Sequence, residues 1–348
     1  MPENLRCYNY ISIFKKTKLN LSFRNYYSDY FKNFEEFILK KSLFYIPTVF
    51  LENFNNHKNI IDKLNLPLNP KIIFTANGFQ TSSFYARFLA EKIECGTKLI
   101  ISQHGGVYGQ QKNHFPTYFE NKISDKFLSW GWTESGQIPF MMLKKIDKFN
   151  VNKKNKILFE VRPHRLYPKR TEILESQFQT FNYYKQCSNL LKMIRGTSIE
   201  KNFYVKLSPK GYEFDEEEIF KNSNPKIHFV NRYSPMTESR KNASLLIFST
   251  ISTGHLEATA SNYPFMILNV YPNYFKDEIK YIFMEMKELG ILHFNSESLF
   301  ATLKKIENDI FSWWSSKSLQ TFIQKYKNKY ANTDNKYKLQ KLEKFLKF

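Results

Sequence analysis

Residues 98–110 read KLIISQHGGVYGQ. The first five, with their aliphatic run, suit a buried parallel strand. The loop that follows carries His104 and three glycines, Gly105, Gly106 and Gly109, in a chain with only 11 glycines among 348 residues. A turn alone needs one. Gly105 and Gly106 together let the main chain turn sharply and come close to another surface. We therefore expect the loop to face a ligand, with Gln103, Gly105, Gly106 and Tyr108 making the close approach. His104 is its reactive group, either a general base near neutral pH or a cationic phosphate contact. The competing reading is a loop histidine bonded to nearby backbone. His114 and Glu120 lie close by in sequence.

The pattern around this stretch is strand, helix, strand. KIIFT (71–75) reads as a strand. TSSFYARFLAEKIEC (81–95) has apolar residues at 84, 85, 88, 89 and 93, which is helical spacing, with Ser82 or Ser83 as its cap. KFLSW (126–130) is a further strand. Together these make a βαβ arrangement. Residues 134–156 turn rich in Lys and Asn and end in NVNKKNK, which reads as a linker. The rhythm then restarts with strands KILFEV (156–161), FYVKL (203–207), IHFV (227–230), SLLIFS (244–249) and PFMILNV (264–270), and a long helical segment from about 172 to 195. The fold class expected is α/β, with two Rossmann-like, doubly wound domains facing a cleft: residues 1–150, and residues 151–348 with a terminal helix packing back on the first domain. About 70 aromatic and basic residues precede the first clear strand.

Composition narrows the function classes. The formal charge is +20, from 52 Lys and Arg against 32 Asp and Glu, which attracts nucleic acid, anionic lipid or a phosphorylated ligand. Most of the basic residues are Lys, dispersed in blocks no longer than two, and a base-composition bias explains them as well as function does. No nucleic-acid recognition module is present, so nucleic acid is not an expected partner. The three cysteines, Cys7, Cys95 and Cys187, are far apart and fit neither a disulfide framework nor a metal site. The longest early apolar run, SLFYIPTVFL (42–51), is half a membrane span and is broken by Pro47. No signal-peptide layout opens the chain. A cytoplasmic protein, soluble or peripheral at an anionic inner membrane, is expected.

Ligands of open parallel sheets bind beyond the carboxyl ends of the strands. After SLLIFS comes TISTGHLEATA (250–260), hydroxyls and a glycine at the start of a short helix. Free amides and the helix dipole suit that end to phosphate, with Ser252, Thr253 and Gly254 as donors. Glu257 lies one turn inside, where its carboxylate suits a ribose. Plain N-capping with Glu257 on a solvated face is the alternative. Basic residues after other strands, Arg162 in RPHRLYPKR, Lys206, and Lys210 in SPKGYEF, are candidate phosphate contacts. His57, His228, His255 and His293 read as structural, and Trp130 and Trp132 in SWGW as packing. No D-x-D triplet occurs, so no metal and no cofactor are expected.

The segments PKIIFTANGF, KLIISQHGGVYGQ, ISDKFLSWGW and STGHLEATASNYP, with ELGILHFNSES further on, resemble in order a family of bacterial surface-carbohydrate transferases encoded in polysaccharide and O-antigen-type clusters. The similarity spans roughly residues 70–330. The Glu seven residues before a Pro, on a helix after a Ser/Thr loop, also resembles the donor site of two-domain GT-B glycosyltransferases. The resemblance implies that Glu257 holds the donor ribose, that Ser252, Thr253 and Gly254 hold its phosphates, and that His104 sits on the acceptor side. Lys210 stands where family members tend to carry a His, and many relatives have a much longer region before the first strand, which implies that the first domain here is reduced. The implied activity is metal-independent glycosyl transfer from a nucleotide-activated sugar, a co-substrate, to a glycan or lipid-linked acceptor. The alternatives are a polyol-phosphate transferase using a CDP-activated alditol, or a non-catalytic scaffold of polysaccharide assembly.

Overall fold

The structure, a computed structural model, describes residues 18–25, 32–64, 66–143, 146, 156–165, 177–209, 214–271, 274–334 and 338–346. Residues 147–155, where the linker was expected, and Lys210 lie outside the described residues. The chain groups into two compact units, residues 1–100 and residues 101–348.

The first unit opens with helices α1 (Leu21–Asn25), α2 (Phe34–Tyr45) and α3 (Phe54–Asp62). Arg24 of α1 is buried and donates to both carboxylate oxygens of Glu52 at 2.7 Å, which compensates the burial of its charge. Strand β1 (Ile72–Thr75), the short α4 (Gly78–Thr81), α5 (Ser83–Glu94) and β2 (Lys98–Ser102) follow. The cap expected at Ser82 is present: its hydroxyl accepts from the Tyr85 amide at 3.3 Å. On the inner side of α5, Phe84 stacks on the buried His57 ring at 4.3 Å. β1 lies beside β2.

The second unit continues with α6 (Phe115–Ile123), β3 (Lys126–Ser129) and β4 (Gln137–Pro139), and β3 and β4 pair in parallel. Then come β5 (Ile157–Glu160), α7 (Gln177–Ile194), β6 (Phe203–Lys206), α8 (Glu216–Ser223), β7 (His228–Val230), α9 (Met236–Arg240), β8 (Leu245–Phe248), α10 (Thr253–Ala260) and β9 (Phe265–Leu268). The chain closes with α11 (Lys280–Glu288), β10 (Leu292–His293), α12 (Ser296–Ile306), α13 (Ile310–Trp314), α14 (Lys317–Tyr330) and α15 (Lys338–Leu346). The segment expected as a helix from about 172 is described from Gln177 onward. Among the described residues no helix is long and apolar enough to cross a membrane.

Six strands form one parallel sheet in the order β10-β9-β8-β5-β6-β7. From β5 the chain steps outward through β6 to β7, then returns to β8 on the other side of β5 and steps outward again. The strand order therefore reverses between β5 and β8, the switch point at which doubly wound sheets bind ligands. Buried on both faces, the central strands are continuously apolar: β8 and β9 are buried at every residue. Phe159, Val205, Ile247 and Met266 pack with Tyr183, Cys187, Leu190 and Leu191 of α7 and with Leu299 and Leu303 of α12 into one core. β4 and β10 have three and two residues and do not figure among the strands read from the sequence. Periodicity needs more residues than that to register.

Ile247 is wholly buried at the middle of β8. Ile247→Ala should lower the unfolding free energy by about 2–5 kcal/mol through lost burial and the cavity left behind, which a denaturant titration of both proteins will measure.

Candidate functional site

Two loops of the second unit meet at the switch point. The first leaves β2. Its Gln103 is buried, and its side-chain carbonyl accepts from the Trp130 amide at 2.9 Å and from the Trp132 indole at 2.8 Å. The other end of the same side chain donates to the Gly105 carbonyl at 2.8 Å. Gln103 thus joins the QHGG loop to the SWGW turn after β3, and both indoles are packing groups, as expected. Gly109 has φ +69, and a Cβ there would run into the Trp132 ring. Further along, Gln111 bridges Phe275, and the Lys276 amide donates to Gln110 at 3.0 Å.

The second loop leaves β8 and enters α10. Ser249 accepts from the Arg162 amide at 2.8 Å and from the Tyr183 hydroxyl at 2.6 Å, which ties the loop after β5 to the loop after β8. The Ser252 amide donates to Nδ1 of His255 at 3.0 Å. That leaves the His255 Nε2 hydrogen for the Tyr326 hydroxyl at 3.0 Å, and Tyr326 in turn donates to Gln110 at 2.7 Å. A buried chain of hydrogen bonds therefore runs from the start of α10 through α14 to the QHGG loop. Full burial pushes the His255 imidazole down to about 3, so it stays neutral.

The two loops touch through main chain. A Cβ on Gly106 would collide with the peptide joining Ser252 to Thr253, and one on Gly105 would lie 3.9 Å from Thr253 Oγ1. The glycine pair is what lets a backbone sit against the first turn of α10. Gly254 is equally constrained from below, since a Cβ there would lie 2.8 Å from Phe248 and 3.0 Å from the Arg240 guanidinium.

His104 stands at the rim of this contact with a quarter of its side chain exposed. Nδ1 is 3.0 Å from the Tyr108 hydroxyl, which also lies 3.0 Å from Oε2 of the wholly buried Glu120. Burial lowers the His104 pKa, leaving the ring neutral at pH 7. Burial, then the charge and hydrogen bond of Glu120, push the Tyr108 phenol far up, so it remains a donor. His114 caps α6 by accepting from the Thr117 amide, and burial together with His104 and Lys276 holds it down to about 4.

Other expected site residues land differently. The Arg162 backbone amide is tied to Ser249, three residues ahead of the Ser252–Gly254 turn. Lys206 is a correction: it is buried, and its ammonium donates to the Asn231 and Ser234 carbonyls at 2.6 and 2.9 Å and to the Ser234 hydroxyl at 3.1 Å. All three hydrogens are thus committed to shaping the 231–234 turn. The Glu257 carboxylate is neither solvated nor unengaged: it accepts from Arg240 at 2.7 Å. Arg240 is buried and binds both oxygens of Glu160 at 2.5 and 2.6 Å. Burial works against its charge, and the two carboxylates outweigh that and keep the pKa above its usual value. Arg240, Glu160, Tyr326 and the role of Glu120 were not read from the sequence, because their partners lie far away along the chain.

Residues 4–346 match the signature of LIC12162 family transferases. The chain belongs to that family. Its fold is that of the GT-B glycosyltransferases, α/β with two parallel sheets. A TarM variant from S. aureus, solved with fondaparinux, alpha-GlcNAc-glycerol and UDP, is similar at a TM-score of 0.50 and 10% identity, with 84% of this chain aligned to 58% of TarM. The wall teichoic acid polymerase TagF, in a CDPG soak, aligns over 90% of this chain and 97% of its own at a TM-score of 0.41 and 11% identity. The spinosyn rhamnosyltransferase SpnG aligns over 79% and 72% at 0.41 and 9% identity. Curated proteins offer no match.

Two measurements follow from this geometry. Gly106→Ala should cost about 1–3 kcal/mol of stability, because the obstacle is backbone that cannot swing aside; urea unfolding will read it. His255 titrates at about 3 when folded, against an ordinary value of 6.5. The unfolded chain therefore takes up a proton that the folded chain refuses. The His255 contribution is complete above pH 6.5 and is lost as the pH falls toward 3, about 2 kcal/mol of it by pH 5. In His255→Gln the decline of unfolding free energy from pH 6.5 to 5 should be shallower by that amount.

Proposed function

We propose that the chain is a glycosyltransferase that moves a sugar from a nucleotide-activated donor to a hydroxyl of a surface glycan or lipid-linked glycan, without a metal. The observation that carries this reading is the contact of the His104 loop with the first turn of α10 at the sheet's switch point. It brings the His104 loop against the end of a helix whose first amides have no intrahelical acceptor.

In the proposed reaction the His104 imidazole takes the proton of the acceptor hydroxyl as its oxygen attacks the anomeric carbon. The bond from that carbon to the donor phosphate breaks, and the electron pair leaves with the nucleotide. Thr253 and Gly254 amides face the charge gained by the leaving phosphate, with the helix dipole behind them. Arg162, whose backbone is tied to Ser249, supplies a cation on the same rim. Glu257, held in place by Arg240, accepts from the donor ribose. Holding both substrates in one place supplies much of the rate. A net charge of +20 suits work on an acceptor at the anionic cytoplasmic face of the inner membrane.

A thermal-shift series with CMP, CDP, UDP and GDP tests the reading. One nucleotide should stabilise the fold, by about 2.7 kcal/mol at a hundred times its Kd. His104→Ala should keep that stabilisation and lose about 10²–10⁴ in turnover. Glu257→Ala should weaken binding about tenfold or more, with Arg240 still held by Glu160. Failure of every nucleotide to stabilise the protein would sink the proposal.

A further inference from the structure

The first unit holds a cavity to which the proposed reaction assigns nothing. Its volume is about 630 Å³, a size that suits a small ligand. Leu66, Pro67, Ile72 and Phe74, with Phe88 from α5, form its apolar walls. Ile72 to Thr75 line it without a break, residues of both faces of β1, so it runs along the edge of that strand. β1 has β2 on one side and no strand on the other among the described residues, which leaves that edge open. Thr75, Asn77 and Thr81 supply the short polar groups in the lining.

The walls are fixed in place. The Lys92 ammonium donates to the Leu68 carbonyl at 2.6 Å and the Thr97 hydroxyl to the Pro70 carbonyl at 2.8 Å, so the 66–70 segment is pinned from α5 and from the turn after it. Pro67 and Pro70 stiffen the same segment. On α5 the Tyr85 ring stacks on Phe88, centroids 6.2 Å apart, and lies so close to Gly78 that a Cβ there would come within 2.9 Å of it. Glycine at 78 is what admits the ring.

We propose that this cavity takes the hydrocarbon chain of an anionic lipid. No charged side chain lines it, in a protein of net charge +20. A charged ligand group would find nothing there to compensate its burial, whereas every methylene that enters leaves water. Apolar surface continues outside the cavity, where Leu68 is 79% exposed and Phe74 42%, as suits a chain that enters from a bilayer. Lys71, exposed between the lining residues Pro70 and Ile72, supplies a cation for the head group. An added peptide strand fits less well. β1 has four residues, and only alternate ones turn their main-chain groups to the open edge, too few to hold a strand. The cavity belongs to the first unit alone, and its occupancy is independent of sugar transfer.

The test is a calorimetric titration of the full chain with alkyl phosphates of rising length, each below its micelle concentration, and with inorganic phosphate. Affinity should rise about fourfold per methylene and level off once the cavity is full. Ala76→Trp fills the cavity, and Leu66→Asp puts a charge in its wall. Each should weaken decyl phosphate binding about tenfold or more, with circular dichroism to show that the variant is folded. Should neither fold, the levelling-off in the unaltered chain decides. Inorganic phosphate binding as tightly as decyl phosphate would overturn the proposal. So would affinity that climbs with length without levelling, or that is unchanged in a folded variant, since both mark adsorption to the surface. A changed oligomeric state in either variant, with decyl phosphate binding intact, would give the cavity to a second copy and overturn the proposal too. No nucleotide is present, so a chain that binds alkyl phosphates but no nucleotide keeps this site and loses the glycosyltransferase reading.

Discussion

The site depends on one close approach between two pieces of main chain, Gly106 against the peptide that opens α10. A side chain at position 106 would hold the loop off the first turn of α10. Because glycine makes the approach sterically open without holding it shut, the contact needs support from both sides. Gln103 anchors the loop to the turn after β3, and the Gln110–Tyr326–His255 chain anchors it to α10. The bridge from Gln111 to Phe275 fixes its far end. These supports are buried hydrogen bonds, strong in a low-dielectric interior only when every member is paired.

The same interior dictates how charge is handled. Arg240 is tolerable under α10 because two carboxylates embrace it, and one of them is Glu257, whose position is thereby set. Lys206 shows the opposite outcome for a residue of the same sign: its hydrogens are taken up by a turn, and its charge is spent on shape. The histidines divide along the same line. Those sealed in, such as His255, serve as neutral linkers, whereas His104 keeps part of its ring in solvent and can exchange a proton.

Much of the fold was legible in the sequence. The central strands are largely apolar runs, as a doubly covered parallel sheet favours, so ILFE, FYVK, LLIF and FMIL announce themselves even though Glu160 and Lys206 close two of them. The cap at Ser82 and the glycine cluster around His104 were equally plain, since each is a local steric or hydrogen-bonding requirement. The short β4 and β10 were not: β4 ends on a proline and β10 has two residues, so neither shows an apolar run. Nor was the fate of Lys206: a lysine at a strand end reads alike whether it meets phosphate or a carbonyl.

The QHGG and SWGW segments could be recognised as a pair, but their connection could not. Gln103 reaches across 27 and 29 residues to Trp130 and Trp132, and only folding reveals that one side chain serves both. The sequence by itself determined the strands, the switch from one sheet to the next, the helix at 253 and the flexible main chain beside His104, because these follow from local sterics and from apolar periodicity. Tertiary structure decided which charges meet. Glu120, Arg240, Glu160 and Tyr326 take their partners from distant elements, and the burial that sets their ionisation exists only once those elements have packed.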